Sequence, residues 1–436
     1  MEQRDLIAAI ATGAAAGAIG VIRLSGASLH GLFPALLGRR QLEPRVATLC
    51  SFLDAQCEAL DQGLALYFPG PASYTGQDVL ELQGHGGQAV LEALLGRCFE
   101  LGARPARPGE FTYRAFLNGR MDLAQAEAVA DLIEAKSAAA ARSAVRALSG
   151  TFSSTMQAIV AKVSRVRVLA EANLDFPEED LDAFPRAAAV TLLDEIASDL
   201  QALKQAAKRS QLLRGARVVL AGAPNVGKSS LLNRLAGEEV AIVTPFPGTT
   251  RDVVRGSIQL RGIAVELLDT AGLHESTDPI EQIGMQRTFS SVDDADLVLA
   301  VEDCTSASTP LFTRPRIPVL RVINKIDLLQ GSLPAANGDE LPVSAVTGSG
   351  IERLKDVMAE RLGLGELEEG TFLARERHMR QLDIAMHHLD ASRATADLVL
   401  LAEDLRLVQE ALGEITGQVT TEALLGQIFS EFCIGK

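Results

Sequence analysis

Apolar positions divide the chain into four stretches of different texture. Residues 1–118 hold short apolar runs at 19–24, 64–68 and 79–82, separated by Gly and Pro turns, and these predict strands. Residues 119–213 are Ala-rich and Pro-poor with a longer period. That predicts helices, broken at Asp175-Phe176-Pro177 and at Phe184-Pro185. Residues 214–365 alternate β-rich runs, at 218–221, 240–243, 265–269, 297–301 and 319–324, with helical segments. Such alternation is the pattern of a mostly parallel sheet with helices on both faces. Residues 366–436 return to a helical period, clearest over 398–412. There is no internal repeat. The simplest architecture places the 214–365 α/β domain inside a helical domain made from 119–213 and 366–436, preceded by a separate domain over 1–118.

Composition narrows the class. A chain of 436 residues fits roughly three domains. Apolar residues at 47% and charged residues at 22% exclude a disordered or low-complexity protein. The 41 basic and 56 acidic side chains give a net charge of −15, which argues against coating nucleic acid or membrane by bulk charge. The charge is uneven, however. Lys136, Arg142, Arg146, Lys162, Arg165 and Arg167 fall in a stretch without acids, and Glu171, Asp175, Glu178, Glu179, Asp180 and Asp182 follow. The basic stretch fits a patch for an RNA backbone and fits solvated helix faces equally. The most apolar segment, 6–22, falls short of the roughly 18 residues of a spanning helix and reads as two strands around a small-residue loop. Five scattered cysteines without a CxxC pair suit a reducing compartment. The expectation is a soluble, cytoplasmic protein without a membrane segment.

The strongest chemical signal is Gly222-Ala-Pro-Asn225-Val226-Gly227-Lys228-Ser229-Ser230, a GxxxxGK[ST] loop between a strand and a helix. Its backbone N–H groups would curl around phosphate oxygens, with a helix N-terminus behind them. Lys228 would bridge the β- and γ-phosphates and Ser229 would ligate Mg²⁺. About a hundred residues later, Asn324-Lys325-Ile326-Asp327 closes a strand. The Asp327 carboxylate would accept from guanine N1–H and its exocyclic amine, a donor pair that adenine lacks, and Ser344-Ala345 would cap the base. GTP is therefore the expected nucleotide.

Asp269-Thr270-Ala271-Gly272 ends another strand; Asp269 would reach Mg²⁺ through water and the Gly272 amide would meet the γ-phosphate. Between them, Thr244-Pro245-Phe246-Pro247-Gly248-Thr249-Thr250 reads as a switch-like loop, with Thr250 a second Mg²⁺ ligand. The residue after Gly272 is Leu273, which cannot orient an attacking water as a Gln would, and no arginine finger stands out. The side-chain carbonyl of Asn225 suggests a monovalent cation as the substitute charge. Glu281 is a candidate for positioning water, although its spacing alone fits a solvated helix residue better.

Together these motifs resemble the MnmE (TrmE) family of tRNA uridine-modification GTPases. The resemblance runs nearly end to end. It includes TPFPGTTRD, DTAGLH, the GAIGVIRLSG run around Arg23, YTGQDVLELQGHGG around Glu81, GEFTYRAFLNGRMDL ending near Arg120, and a terminal Phe432-Cys433-Ile434-Gly435-Lys436. It implies a multidomain α/β and α+β protein, with a GTPase domain inserted in an all-helical domain. An N-terminal dimerisation domain related to tetrahydrofolate-binding aminomethyltransferases would precede it. By matching positions, Arg23, Glu81, Arg120 and Lys436 would contact a 5-formyl- or 5,10-methylene-tetrahydrofolate, and Cys433 would lie beside them as a nucleophile or as a small structural residue. The same matching puts K⁺ on Asn225 and on the carbonyls of Thr244, Phe246 and Thr249, and makes Glu281 the water-positioning acid. It also implies a homodimer, tRNA as substrate, and a partner, MnmG (GidA), that brings FAD and uses NADH. The expected product is a carboxymethylaminomethyl or aminomethyl group on C5 of the wobble uridine. The alternative is a ribosome-assembly-type GTPase switch without folate chemistry, which leaves residues 1–118 and the terminal CIGK without a purpose.

Overall fold

The computed structural model describes residues 5–13, 17–175, 186–211, 215–237, 255–269, 295–305, 317–329, 340–364 and 374–435. The run expected at 240–243 lies outside them. Contacts group the chain into two compact units, Met1–Ala130 with Phe152–Phe184 and Ala391–Lys436, and Asp131–Thr151 with Pro185–Asp390.

The first unit is built on a six-stranded sheet. Its strands are β1 (Ile7–Ile10), β2 (Ile19–Gly26), β3 (Thr48–Leu53), β4 (Ala59–Phe68), β5 (Asp78–His85) and β6 (Arg104–Pro105), in the spatial order β3-β4-β5-β2-β1-β6. All neighbours are antiparallel except β1 and β6. β1 and β2 are the two strands expected from residues 6–22. Alternation sorts the side chains: Ile22 and Leu24 of β2, and Leu80 and Leu82 of β5, face the core with Phe33, Phe52 and Tyr67. Arg23 and Glu81, one position out of phase, face the other way and stand opposite each other in register.

Helices α1 (Phe33–Leu37), α2 (Gln88–Glu100) and α3 (Glu110–Leu117) punctuate this region of short runs. α2 packs Leu91, Leu94 and Cys98 from one face onto the core. Farther along the chain come α4 (Leu123–Glu134), α5 (Ala138–Leu148), α6 (Thr151–Asp175) and α7 (Arg186–Gln211).

A charged cluster pins β6 and α3 to the chain's beginning. Glu110 is buried and takes both Arg104 guanidinium nitrogens at 2.9 and 2.7 Å, the Arg107 N–H at 2.9 Å and Arg114 at 3.0 Å. Arg104 also pairs with Asp5 at 2.8 Å, and Arg114 donates to the Asp5 carbonyl at 2.8 Å. Burial alone would raise the Glu110 carboxyl. The Arg104 fork, the Arg107 N–H and Arg114 outweigh it and hold the carboxyl down at about 2.

In the second unit, β7 (Ala216–Ala221), β8 (Arg255–Leu260), β9 (Ile263–Asp269), β10 (Leu297–Asp303), β11 (Val319–Asn324) and β12 (Glu340–Pro342) form a sheet in the order β12-β11-β10-β7-β9-β8. Only β8 runs antiparallel to its neighbour. The strands are nearly continuous apolar runs, as a sheet covered on both faces requires. Helices α8 (Lys228–Ala236) and α9 (Ile351–Arg361) cover it, and Ala139, Ala140 and Ala144 of α5 join the same core. α10 (Glu376–Ala394) follows, and α11 (Leu398–Thr416) and α12 (Glu422–Ser430) belong to the first unit. Asp397 and Thr421 start the last two by accepting Val399 N–H at 2.8 Å and Leu424 N–H at 3.2 Å. No helix among the described residues is long and apolar enough to cross a membrane.

The depressed Glu110 carboxyl sets a testable acid limit. The stability it contributes is fully present above its unfolded ionisation near 4.5 and is lost as pH falls from there toward 2. Glu110→Gln is expected to cost about 3 kcal/mol at neutral pH. In urea titrations the gap from the parent should narrow below about pH 4; a gap independent of pH would contradict the ionic origin.

Candidate functional site

The nucleotide site is assembled along the carboxyl edge of the parallel sheet, where open α/β sheets place their ligands. The loop from Gly222 to Gly227 joins β7 to α8 and can turn this tightly for two reasons. A Cβ on Gly222 would sit 2.2 Å from the Val301 carbonyl, and Gly227 has φ 94° with Asn324 Nδ2 2.4 Å from where its Cβ would be. Asn225 takes a left-handed φ of 63°, which Asn tolerates better than most residues. Lys228 is buried and donates to the Gly222 and Ala223 carbonyls at 2.8 and 3.0 Å. Burial pulls its ammonium below the ordinary lysine value, opposed by the Asp269 carboxylate. An ammonium carries three N–H donors, so one beyond these two carbonyls is available to a phosphate.

Ser229 Oγ donates to Asp269 Oδ2 at 2.6 Å, bringing the two residues expected around Mg²⁺ together. A hydroxyl beside a carboxylate is an oxygen-only donor pair, which suits a hard divalent cation. Val226 is buried, and Ser230 is exposed on the first turn of α8.

Asn324, one of the residues expected around the nucleotide, is engaged by the protein itself. Its buried amide donates to the Val226 carbonyl at 2.9 Å and accepts from Ala345 N–H at 3.1 Å. One side chain thus ties the phosphate loop to the base loop. Lys325, at φ 66°, pairs with Asp303 at 2.6 Å. Desolvation works against the Asp303 charge, but Lys325 and the Thr305 N–H lower its pKa on balance. Ser344 donates to Asp327 and accepts from Thr347 N–H at 3.1 Å, so its loop holds the Asp327 carboxylate in place. Asp303 was not singled out in the sequence, although it ends β10 in register with Asn324 of β11.

Thr244, Pro245, Phe246, Pro247, Gly248, Thr249, Thr250, Thr270, Ala271, Gly272 and Glu281 lie outside the described residues, as does Lys436. The described part therefore brings together Asn225, Lys228, Ser229, Asp269, Asn324, Lys325, Asp327, Ser344 and Ala345.

A second cluster lies on the first unit's sheet. Arg23 Nη2 and Nε reach Glu81 Oε1 at 2.9 and 3.0 Å, with both side chains about one-fifth exposed. The Arg23 guanidinium lies 5.6 Å from the Tyr74 ring centroid and 5.8 Å from that of Phe111. Its Nη1 donates to the Gly435 carbonyl at 3.5 Å, so the chain's last residues come to this pair. Gly435 fits because its backbone, at φ 96°, passes where a Cβ would stand 2.4 Å from the Ile10 carbonyl. Gly109 N–H donates to the Cys433 carbonyl at 3.3 Å, and the Cys433 side chain is exposed. Arg120 is exposed beside Gly76, two residues from Tyr74. Tyr74 and Phe111 belong to the quoted sequence runs, but only the fold identifies them as the walls around Arg23.

Within the basic stretch, Arg142, Arg146 and Arg165 are exposed, while Arg167 pairs with Glu171 at 2.9 Å.

The chain resembles known proteins over its whole length. The MnmE helical domain family matches residues 123–433, and the family described as GTP-binding protein TrmE N-terminus matches residues 6–120. The tRNA modification GTPase MnmE of Thiobacillus denitrificans is 51% identical over 439 residues, covering 99% of this chain and 98% of its own. The protein of that name from Nitrosomonas europaea is 51% identical over 453 residues, covering all of both chains.

The Asn324 bridge makes a direct prediction. Asn324→Ala leaves the Val226 carbonyl and the Ala345 N–H without their partner. It should weaken GTP and GDP binding alike by roughly 10- to 100-fold, the equivalent of about 1–3 kcal/mol. Calorimetric titration with an unchanged dissociation constant would show that the two loops are held apart from this side chain.

Proposed function

The chain belongs to the MnmE (TrmE) family of tRNA modification GTPases, and from that premise we propose how its two clusters divide the work. The chain is the GTP-hydrolysing, folate-dependent component of a complex with a flavin-carrying, NADH-using MnmG partner. The complex places a carboxymethylaminomethyl or aminomethyl group on C5 of the wobble uridine of certain tRNAs. Two chains pair through residues 1–118 in the cytoplasm. The helical domain comprises 119–213 and 366–436 around a GTPase domain of 214–365.

The observation that carries this reading is the meeting of Arg23, Glu81 and Gly435 in the first unit. A GTPase switch alone has no use for an arginine–glutamate pair, aromatic walls and a C-terminal tail gathered at one point. Glu81 presents a carboxylate that suits the donor edge of a pterin, while Arg23, Arg120 and Lys436 suit the carbonyl and glutamyl groups of a folate. The bound folate supplies the one-carbon unit. Tyr74 and Phe111 hold the Arg23 guanidinium in place, and Cys433 lies two residues before Gly435, the tail residue that meets it. Exposed Arg142, Arg146 and Arg165 offer charge to an RNA backbone.

In the second unit, Lys228 engages the β- and γ-phosphates, Ser229 and Thr250 are the Mg²⁺ ligands, and Asp327 selects guanine. Asn225 and the carbonyls of Thr244, Phe246 and Thr249 would hold a potassium ion, which supplies positive charge where no arginine finger reaches. Glu281 positions the attacking water. Hydrolysis is accordingly expected to be several-fold or more faster in K⁺ than in Na⁺. In K⁺, Glu281→Ala should keep GTP binding and lose turnover. Equal rates in the two salts would remove potassium from the site, and unchanged turnover of Glu281→Ala would remove Glu281.

Deleting residues 433–436 tests the division of labour. Uridine modification by the reconstituted complex should be abolished and GTP hydrolysis retained. Loss of both activities, or of neither, would contradict a separate folate site.

A further inference from the structure

Between α3 and α12 of the first unit lies a cavity of about 390 Å³, within the size range of small-ligand sites. It shares no lining residue with the Arg23–Glu81 pair. Tyr113 and Phe429 meet edge to face on its wall, with centroids 5.1 Å apart at 73°. Arg107 stands exposed at the cavity, and Glu422 and Ser430 add a carboxylate and a hydroxyl from α12. Burial raises the Tyr113 phenol and the Glu422 charge adds to it, and both residues line the cavity. Glu110 also lines the cavity, but its carboxylate is engaged by Arg104 and Arg114, so the open carboxylate there is that of Glu422. Gly426 leaves part of the wall empty: a Cβ at that position meets nothing within 4 Å.

These groups specify a ligand. Aromatic faces take a flat ring, and an exposed arginine takes an anion. A carboxylate takes a ring N–H, and a hydroxyl can donate to a ring carbonyl. Uracil has that edge, an N3–H flanked by two carbonyls. Cytosine offers a carboxylate its exocyclic amine, but sets the acceptor N3 beside it, where uracil places a donor. The cavity also adjoins the C-terminal tail, since the Gly109 N–H that follows Arg107-Pro108 holds the Cys433 carbonyl.

We propose that this cavity receives a uracil nucleotide extruded from an RNA loop, with its ring against Tyr113 and Phe429, its N3–H on Glu422 and its phosphate on Arg107. The assignment rests on the uridine-modifying function proposed above and locates the base that function acts on.

The test uses the full chain and a 17-nucleotide anticodon stem-loop carrying uridine at the wobble position, with the cytidine loop as comparator, followed by fluorescence anisotropy. The parent should prefer the uridine loop at least tenfold. Gly426→Leu fills the cavity and improves helix propensity, so it should fold and melt like the parent. It should hydrolyse GTP normally and lose the uridine preference. Gly426→Ala, which adds one methyl into open space, should keep it. Glu422→Gln should narrow the uridine-to-cytidine ratio, because an amide can also donate to cytosine N3. A parent that prefers uridine alongside a Gly426→Leu that does the same would overturn the cavity assignment and leave the uridine function standing. A parent blind to the base would likewise overturn the cavity assignment, while the uridine function, exercised with the partner, is read separately from the nucleoside content of tRNA. Loss of 5-formyl-tetrahydrofolate binding in Gly426→Leu, with RNA binding intact, would make the cavity part of the folate site and refute the proposal.

Discussion

The amide of Asn324 donates to the phosphate loop at Val226 and accepts from the base loop at Ala345 while lying almost wholly out of solvent. Those loops are about a hundred residues away on one side and twenty on the other. Each leaves the sheet at the end of a different strand. Nothing in the local conformation of either requires them to meet. A buried side-chain amide left without its partners is costly, about 1–3 kcal/mol for each lost group, so both loops are driven to one relative position. Gly227 belongs to the same constraint, because the Asn324 nitrogen occupies the space a side chain would take. Lys228, the Ser229–Asp269 pair and the Ser344–Asp327 pair are then placed by strands that share one edge. The parallel sheet supplies the edge, and Asn324 fixes the spacing along it.

The first unit positions its charges by another route. Antiparallel alternation sends Leu80 and Leu82 inward and leaves Glu81 facing out beside Arg23 in register. Apolar burial thereby dictates where the ion pair stands, and a slip of one residue would bury both charges. The pair is kept partly exposed, which leaves its hydrogen-bonding capacity open to a polar ligand. The Glu110 cluster does the complementary task of locking β6, α3 and the chain's beginning together, so that Phe111 projects toward Arg23. Buried pairs of this kind are poor evidence of net stability, but removing one member is costly, which makes them effective locks.

Much of this was readable in the chain itself wherever the signal is local. The phosphate loop, its strand and its helix are contiguous, so residues 222–230 declared both their conformation and their ligand. The parallel sheet followed from apolar runs spaced by helical segments, and the β1–β2 pair from two short runs around small residues. Helices α2 and α3 were hidden because flanking glycines and a short apolar spacing read as turns between strands. The bridging role of Asn324, the Asp303–Lys325 pair and the walls of Tyr74 and Phe111 around Arg23 all depend on residues that only the folded topology brings together. The net charge of −15 was the least informative number, since it averages a basic stretch against acidic neighbours and says nothing of a site built from single arginines.

The central claim is that one chain joins a GTPase to the chemistry of a tRNA uridine. It is tested most directly by mass spectrometry of tRNA nucleosides from cells that lack this chain, with and without the gene restored. The account predicts that the C5 substituent of wobble uridines disappears in the deletion and returns with the intact chain. It also predicts no return with a chain whose Arg23–Glu81 pair has been replaced by alanines. Normal wobble uridines in the deletion, or full recovery with the pair removed, would contradict it.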